Sequence, residues 1–288
     1  MLGCKPSPQR SFPIYWVHRA SGAYRTELDI KPEAEPQSFS DAPALGPRGV
    51  YAVFLDVDGT LVDLAETPEA VEPRPEALAM LQRLAVALDG ALALVSGRRI
   101  ADLDRLFLPM VLPASGIHGL ERRDGTGHYH ATPPADLNEA RAALKAVVAE
   151  WPRARLEDKA AALVFHYRAA PDAKRPAFDR LSRILAKRPD LELLDAKMSY
   201  EIKPRSYDKG TSIRAFMDEP PFSGRTPIFL GDDVGDEPGF AAVNRMNGYS
   251  VRVGDAAPTA ARYCLGGVDR VITWLDGLAN RLTRAPTS

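Results

Sequence analysis

A few polar residues stand where apolar runs end, and their types point to one chemistry. Asp56 and Asp58 close the run 50–55 and are followed by Gly59 and Thr60. Ser96 and Gly97 close the run 91–95, Lys209 stands at a predicted helix start, and Asp232 and Asp233 close the run 227–230. Two carboxylates as near as Asp56 and Asp58 repel each other, so they need a cation, a shared proton or several donors. A divalent metal is the economical choice. Mg²⁺ takes oxygen ligands, and Asp56, Asp232 and the backbone carbonyl of Asp58 fit it. A phosphomonoester is a dianion, which a carboxylate can attack only where metal and cations cancel the repulsion. In such a site Asp56 attacks phosphorus, Ser96 with Gly97 binds the phosphoryl oxygens, and Lys209 supplies compact positive charge. Asp58 protonates the leaving alkoxide and then deprotonates water. Taken singly, each feature has an ordinary alternative. Asp58-Gly59 and Ser96-Gly97 also read as turns, Lys209 as a solvated residue, and Asp232 with Asp233 as helix-capping acids. Coincidence at all four places is the weaker explanation.

The elements that must position these groups follow from pattern. The run 50–55 is apolar without alternation, as in a parallel strand covered on both faces. A helical pattern follows through Leu78, Leu81, Leu84 and Leu88, then a strand at 91–95, a helix through Ile100, Leu103 and Leu106, and a strand at 111–114. This alternation predicts an α/β core with a Rossmann-like parallel sheet, whose ligands bind beyond the carboxyl ends of the strands. The rhythm then changes to a hairpin over 121–130 and helices over 135–151 and 174–187, with strands at 155–158, 161–168, 191–194 and 199–203. Helices among pairs of strands predict an antiparallel sheet, hence a second α/β domain over 118–204 inserted into a core of 48–117 and 205–288. The α/β rhythm returns with a helix from Asp208, a strand at 227–230, a helix over 237–243, a strand at 249–253 and a closing helix. Residues 1–47 show neither period and read as a poorly ordered tail.

Composition excludes several classes. With 37 basic and 38 acidic residues among 288, the formal net charge is -1, which gives no basic footprint for nucleic acid or a membrane surface. Two cysteines, Cys4 and Cys264, make neither a disulfide framework nor a zinc site. Their scarcity and the lack of a signal-type apolar segment are the basis for expecting a cytoplasmic protein whose partner is a small molecule.

Asp56-Val57-Asp58-Gly59-Thr60-Leu61, Ser96, Lys209-Gly210 and Gly231-Asp232-Asp233 with Asp236 resemble, in order, the four motifs of the haloacid dehalogenase superfamily. The resemblance implies an aspartyl-phosphate on Asp56 and an acid/base role for Asp58. It also implies supporting roles behind the metal for Asp233 and Asp236, and a C2-type cap over small phosphorylated substrates. Within that group the chain is similar to the trehalose-6-phosphate phosphatases. The motifs are Ser96-Gly97-Arg98, Gly116-Ile117-His118-Gly119, Glu157-Asp158-Lys159, His166-Tyr167-Arg168 and Tyr200-Glu201-Ile202-Lys203-Pro204. The fourth motif departs from the usual pattern, with Gly235 where Thr is common.

This second resemblance implies sugar contacts for Glu157, Lys159 and Glu201, which otherwise read as exposed strand charges. Arg98 either meets substrate or pairs with an acid, and His118 is either a ligand contact or a hinge-side group. Lys203 faces either substrate or solvent, and His166 reads as structural. The expected activity is Mg²⁺-dependent hydrolysis of trehalose 6-phosphate in trehalose biosynthesis. The alternatives are a phosphatase for sucrose phosphate or mannosylglycerate phosphate, a phosphohexomutase, and a sugar-phosphate sensor without turnover.

Overall fold

The computed structural model describes residues 19–20, 23–24, 40–41, 43, 45–46, 50–64, 71–132, 135–196, 198–254 and 258–284. The chain forms two compact units, one comprising residues 34–131 with 208–288 and the other residues 132–207 with 9–33.

The first unit is built on β1 (Tyr51–Leu55), whose five residues are all buried. After it come α1 (Pro75–Ala87), β2 (Leu92–Val95), α2 (Ile100–Leu106) and β3 (Ala114–Gly116), then β4 (Glu121–Arg123) and β5 (Tyr129–Ala131). Proline at the first turn starts α1, where its missing N–H costs nothing. The chain returns to this unit from residue 208 onward. β1, β2 and β3 run parallel, and β4 and β5 continue the same sheet as an antiparallel hairpin.

The second unit holds α3 (Asn138–Glu150), β6 (Arg155–Asp158), β7 (Leu163–His166), α4 (Lys174–Leu185), β8 (Leu191–Ala196) and β9 (Ser199–Pro204). Its antiparallel sheet has the order β8-β9-β7-β6. Alternation sorts its side chains. Leu163, Phe165, Leu191, Leu193, Tyr200 and Ile202 lie in one apolar cluster with Leu144 and Val147 of α3 and Leu181 and Ile184 of α4. The alternate residues form a polar face. Register places Glu157 opposite Val164 and Val164 opposite Glu201, with Lys203 opposite Glu192 one step along.

The first unit is completed by α5 (Lys209–Met217), β10 (Thr226–Gly231), α6 (Glu237–Arg245), β11 (Tyr249–Val253), β12 (Tyr263–Leu265) and α7 (Val268–Arg284). Its sheet reads β12-β11-β10-β1-β2-β3-β4-β5, with the two-residue strand Ser40–Asp41 outside β12. α1 packs with α7, and α5 with α6. Phe54 of β1 stacks on Phe222 at 5.4 Å between ring centroids, and Phe216 of α5 closes the trio. These rings fix β1 at the middle of the sheet.

Three details differ from the sequence reading. The third strand begins at Ala114 and not at 111, just after Pro113, which has no N–H for a ladder. β12 was not expected: three residues between Arg262 and Gly266 are too short a run to show a period. The hairpin over 121–131 belongs to the core sheet, so the compact units part at 131/132 and 207/208, whereas the sequence suggested 117/118 and 204/205. The expected tail at 1–47 falls largely outside the described residues. Those described there form a two-residue antiparallel pair, Arg19–Ala20 with Ala23–Tyr24, and the edge strand Ser40–Asp41. No helix among the described residues is long and apolar enough to cross a membrane.

Candidate active site

The site forms at the carboxyl ends of β1, β2 and β10. Beyond β1 the chain turns tightly, with the N–H groups of Thr60, Leu61 and Val62 all directed to the carbonyl of Val57. Gly59 takes φ +79°, and a Cβ there would lie 2.2 Å from Asp232 Oδ2, so glycine is required for Asp232 to reach Asp56. Asp56 is buried, its N–H donates to the Leu230 carbonyl at 2.9 Å, and Thr60 Oγ1 donates to its Oδ2 at 3.4 Å.

Lys209 opens α5, where Asp208 and Thr211 exchange reciprocal backbone and side-chain bonds as a capping box. Its buried ammonium donates to Asp56 Oδ1 at 2.7 Å and to Asp236 Oδ1 at 2.6 Å. Asp236 Oδ2 accepts from the Asp233 N–H at 2.9 Å, and Asp233 Oδ1 accepts from the Val234 N–H at 2.7 Å. Asp233 and Asp236 therefore fix the turn after β10, and Asp236 also aims Lys209. That makes Asp233 a capping acid as well as a neighbour of the site.

Asp56, Asp232 and Asp236 each place a carboxylate oxygen within 4.8 Å of the others. Burial drives Asp56 well above the ordinary carboxylate value; Lys209 opposes this, and Asp236 and Asp232 add to it. Burial, then Asp236 and Asp233, push Asp232 up to about 7. Burial alone would lower Lys209, yet Asp236 and Asp56 hold it far above the ordinary lysine value. One ammonium among three carboxylates leaves negative charge to be offset. Hard oxygen donors with that excess fit a divalent cation, with Asp56, Asp232 and Asp236 as the side chains grouped closely enough to hold it.

Asp58 faces elsewhere. Arg98 Nε donates to its Oδ2 and Nη2 to its Oδ1, each at 2.7 Å. Arg98 is thus paired with an acid, one of the two roles open to it. Ser96 is buried at the end of β2; its Oγ accepts from the Arg98 N–H at 3.2 Å, leaving its own hydroxyl hydrogen to donate. Its carbonyl accepts from the His118 N–H at 3.1 Å. Ile117 and His118 both adopt left-handed backbone (φ 46° and 51°), a costly conformation for a β-branched residue. The result is a ring lying against Gly97, where a Cβ would sit 2.6 Å from His118 Nε2, and near Gly235.

In the second unit, Glu157, Lys159 and Glu201 share the polar face of the sheet. Lys203 is a correction: it meets neither solvent nor an open surface, being buried and bound to the Glu192 carboxylate and the Tyr207 carbonyl. Two contacts escaped the sequence reading. Thr60 bonds Asp56, and its signal was a hydroxyl directly after the Asp-Gly turn. His166 Nε2 lies 2.8 Å from Glu157 Oε2, which strand alternation alone could have suggested.

A model of the trehalose-phosphatase family matches residues 54–268. This chain belongs to the trehalose-phosphatase family. Trehalose-6-phosphate phosphatase of Escherichia coli is 43% identical over 248 residues, 85% of this chain and 92% of the relative. A probable trehalose-phosphate phosphatase of Sinorhizobium fredii is 45% identical over 212 residues, 73% of this chain and 80% of the relative. The fold is shared with the C-terminal domain of C. albicans trehalose-6-phosphate phosphatase, at TM-score 0.72 and 23% identity over 80% of this chain and 92% of that one. It is also shared with a phosphatase of the haloalkanoate (HAD) superfamily from Bacteroides thetaiotaomicron, at TM-score 0.58 and 15% identity over 82% and 99%. As a trehalose-phosphatase, the chain is an enzyme of phosphate-ester hydrolysis, and a divalent metal is general among such phosphatases.

Proposed function

We propose that this chain hydrolyses trehalose 6-phosphate to trehalose and phosphate through an aspartyl-phosphate on Asp56, with Mg²⁺ as its metal and the cytoplasm as its compartment. The observation that carries the reading is the buried Asp56, paired with Lys209 and grouped with Asp232 and Asp236.

Asp56 and Asp232, with the Asp58 carbonyl, would hold the metal, which would supply positive charge to the site. A carboxylate oxygen of Asp56 attacks phosphorus. The new P–O bond forms as the bond from phosphorus to the sugar oxygen breaks. Asp58 gives that oxygen a proton, so one of its two bonds to Arg98 must first open. Ser96, the Gly97 backbone and Lys209 stabilise the transferring group. Asp58 then takes a proton from a water that attacks the phosphorus of the aspartyl-phosphate, releasing phosphate and restoring Asp56. His118, against the phosphate loop, borders the leaving sugar, and Glu157, Lys159 and Glu201 accept and donate to sugar hydroxyls.

Phosphate release from trehalose 6-phosphate, glucose 6-phosphate and sucrose 6-phosphate, with Mg²⁺ and with chelator, tests this. Selective, Mg²⁺-dependent release from the first is expected. Equal rates on the first two would refute disaccharide selectivity.

A further inference from the structure

The polar face of the antiparallel sheet is not a set of independent charges. β6 and β7 pair so that Arg155 lies opposite His166 and Glu157 opposite Val164. His166 and Glu157 are therefore diagonal neighbours on that face, where long side chains reach each other. The imidazole Nε2 lies 2.8 Å from Glu157 Oε2. An ionised carboxylate only accepts, so Nε2 carries the hydrogen. The other oxygen, Oε1, has the Lys159 ammonium at 4.0 Å. The His166 bond is the main influence holding Glu157 below its usual value, opposed by burial and aided by Lys159. Arg155, Lys159, Glu201 and the Lys203–Glu192 pair are the other charged groups of this face, with Ser199 opposite His166 on β9.

The pair is placed where it adds little to folding. Both side chains remain about one-third exposed, on the side of the sheet away from the apolar cluster. Half-solvated pairs of this kind contribute little stability. What the bond does fix is direction: the imidazole holds Oε2, which leaves Oε1 on the side of the Lys159 ammonium, 4.0 Å away.

We propose that His166 is a positioning residue for sugar recognition, its Nε2–H holding Glu157 so that Oε1 accepts from a sugar hydroxyl. This rests on the reading of the polar face as the sugar-binding surface. His166 touches no substrate atom and takes no part in phosphoryl transfer.

The test uses the full chain, with phosphate release from trehalose 6-phosphate and from p-nitrophenyl phosphate, which has no sugar to recognise. H166L removes the donor with little change in bulk. It should raise KM for trehalose 6-phosphate about tenfold, the scale of one hydrogen bond to a charged acceptor, while kcat stays within about twofold. Its activity on p-nitrophenyl phosphate and its Tm should match wild type. H166Q, whose amide can donate, should recover part of the KM. Because His166 acts through Glu157, H166L added to E157A should cost little beyond E157A alone. Unchanged KM in H166L, additive losses in the double variant, or equal losses on both substrates would each overturn the assignment. Wild-type protein that cleaves p-nitrophenyl phosphate and not trehalose 6-phosphate would overturn the substrate reading, and this inference with it.

Discussion

The core site and the Glu157–His166 pair of the antiparallel sheet hold their charges in opposite ways. In the core, Asp56, Lys209 and Asp236 are 4%, 4% and 0% exposed and satisfy one another through two short bonds to one ammonium. On the antiparallel sheet, the Glu157 and His166 side chains keep 33% and 29% of their exposure. A buried charge that loses its partner is left without water or compensation, whereas a half-exposed one is solvated. The core constellation therefore tolerates almost no substitution. At the half-exposed positions 157 and 166 the sheet face can change without disturbing the apolar side beneath, whereas Lys203 and Glu192 form a buried pair like that of the core. Fixed chemistry and adjustable recognition follow from that difference in burial.

Removing the nucleophile should have the largest effect. Asp56→Asn should lower phosphate release at least about 10³-fold on any ester. Activity near the wild-type rate would place the chemistry elsewhere. Lys209→Met probes the core contrast itself, since it leaves Asp56 and Asp236 buried without their cation. A loss of roughly 3–5 kcal/mol in urea unfolding is expected, along with loss of turnover. Wild-type stability in that variant would mean that the core charges are no more demanding than those of the sheet.

The metal gives a pH-dependent version of the same comparison. Asp232 sits at about 7 in the folded chain against a reference of 3.8. Between those values the folded state holds a proton that the unfolded chain has released. Stability from this group therefore falls as pH rises from about 4 to about 7. A divalent cation offsets the charge exposed above that window. Mg²⁺ should raise Tm by about 3 °C or more at pH 8 and much less at pH 5.5. Asp232→Asn should abolish the gain, whereas Asp58→Asn should keep it while losing turnover, because the Asp58 carboxyl is turned to Arg98. Equal loss of the Mg²⁺ effect in both variants would remove the division of labour between them.

Legibility in the sequence followed the same divide. β1, β2 and β10 were readable because strands buried on both faces are apolar throughout, and their polar ends stood out against that background. The pattern alone brings Asp56, Lys209 and Asp232 to one place, and the structure groups them. What the pattern could not give was direction. Nothing in the spacing of Asp58 and Arg98 says that one side chain takes the other, because residues 40 positions apart meet only through the sheet. Lys203 misled for a related reason: a lysine in an alternating strand suggests solvent or ligand, and only the cross-strand partner Glu192 shows that it is buried by pairing. The hairpin expected over 121–130 reads as part of the inserted unit because the strand–helix rhythm changes there, although the strands at 121–123 and 129–131 extend the core sheet.

The smallest effect separates two adjacent residues of one motif. Glu157 and Asp158 are both acids on β6, and alternation sends them to opposite faces. Asp158 Oδ2 accepts from Arg141 Nε of α3 at 2.6 Å, and its Oδ1 accepts from the Ala160 N–H at 2.9 Å, in a turn where Ala160 takes φ 65°. The Arg141 bond is the main cause holding its carboxyl below the ordinary value, with burial opposing and the Ala160 N–H assisting. A lowered folded value means that its contribution is present above the unfolded value of 3.8 and is lost as pH falls through the lowered one. Asp158→Ala should therefore cost about 0.5 kcal/mol of stability at pH 7, with the cost lost as pH falls below the ordinary carboxylate range. It should leave KM for trehalose 6-phosphate within about twofold, while Glu157→Ala raises it about tenfold or more with little change in Tm. Urea unfolding and steady-state kinetics on the two variants decide the matter: a KM effect as large in Asp158→Ala would mean that the sheet does not divide recognition from support by the face on which a residue lies.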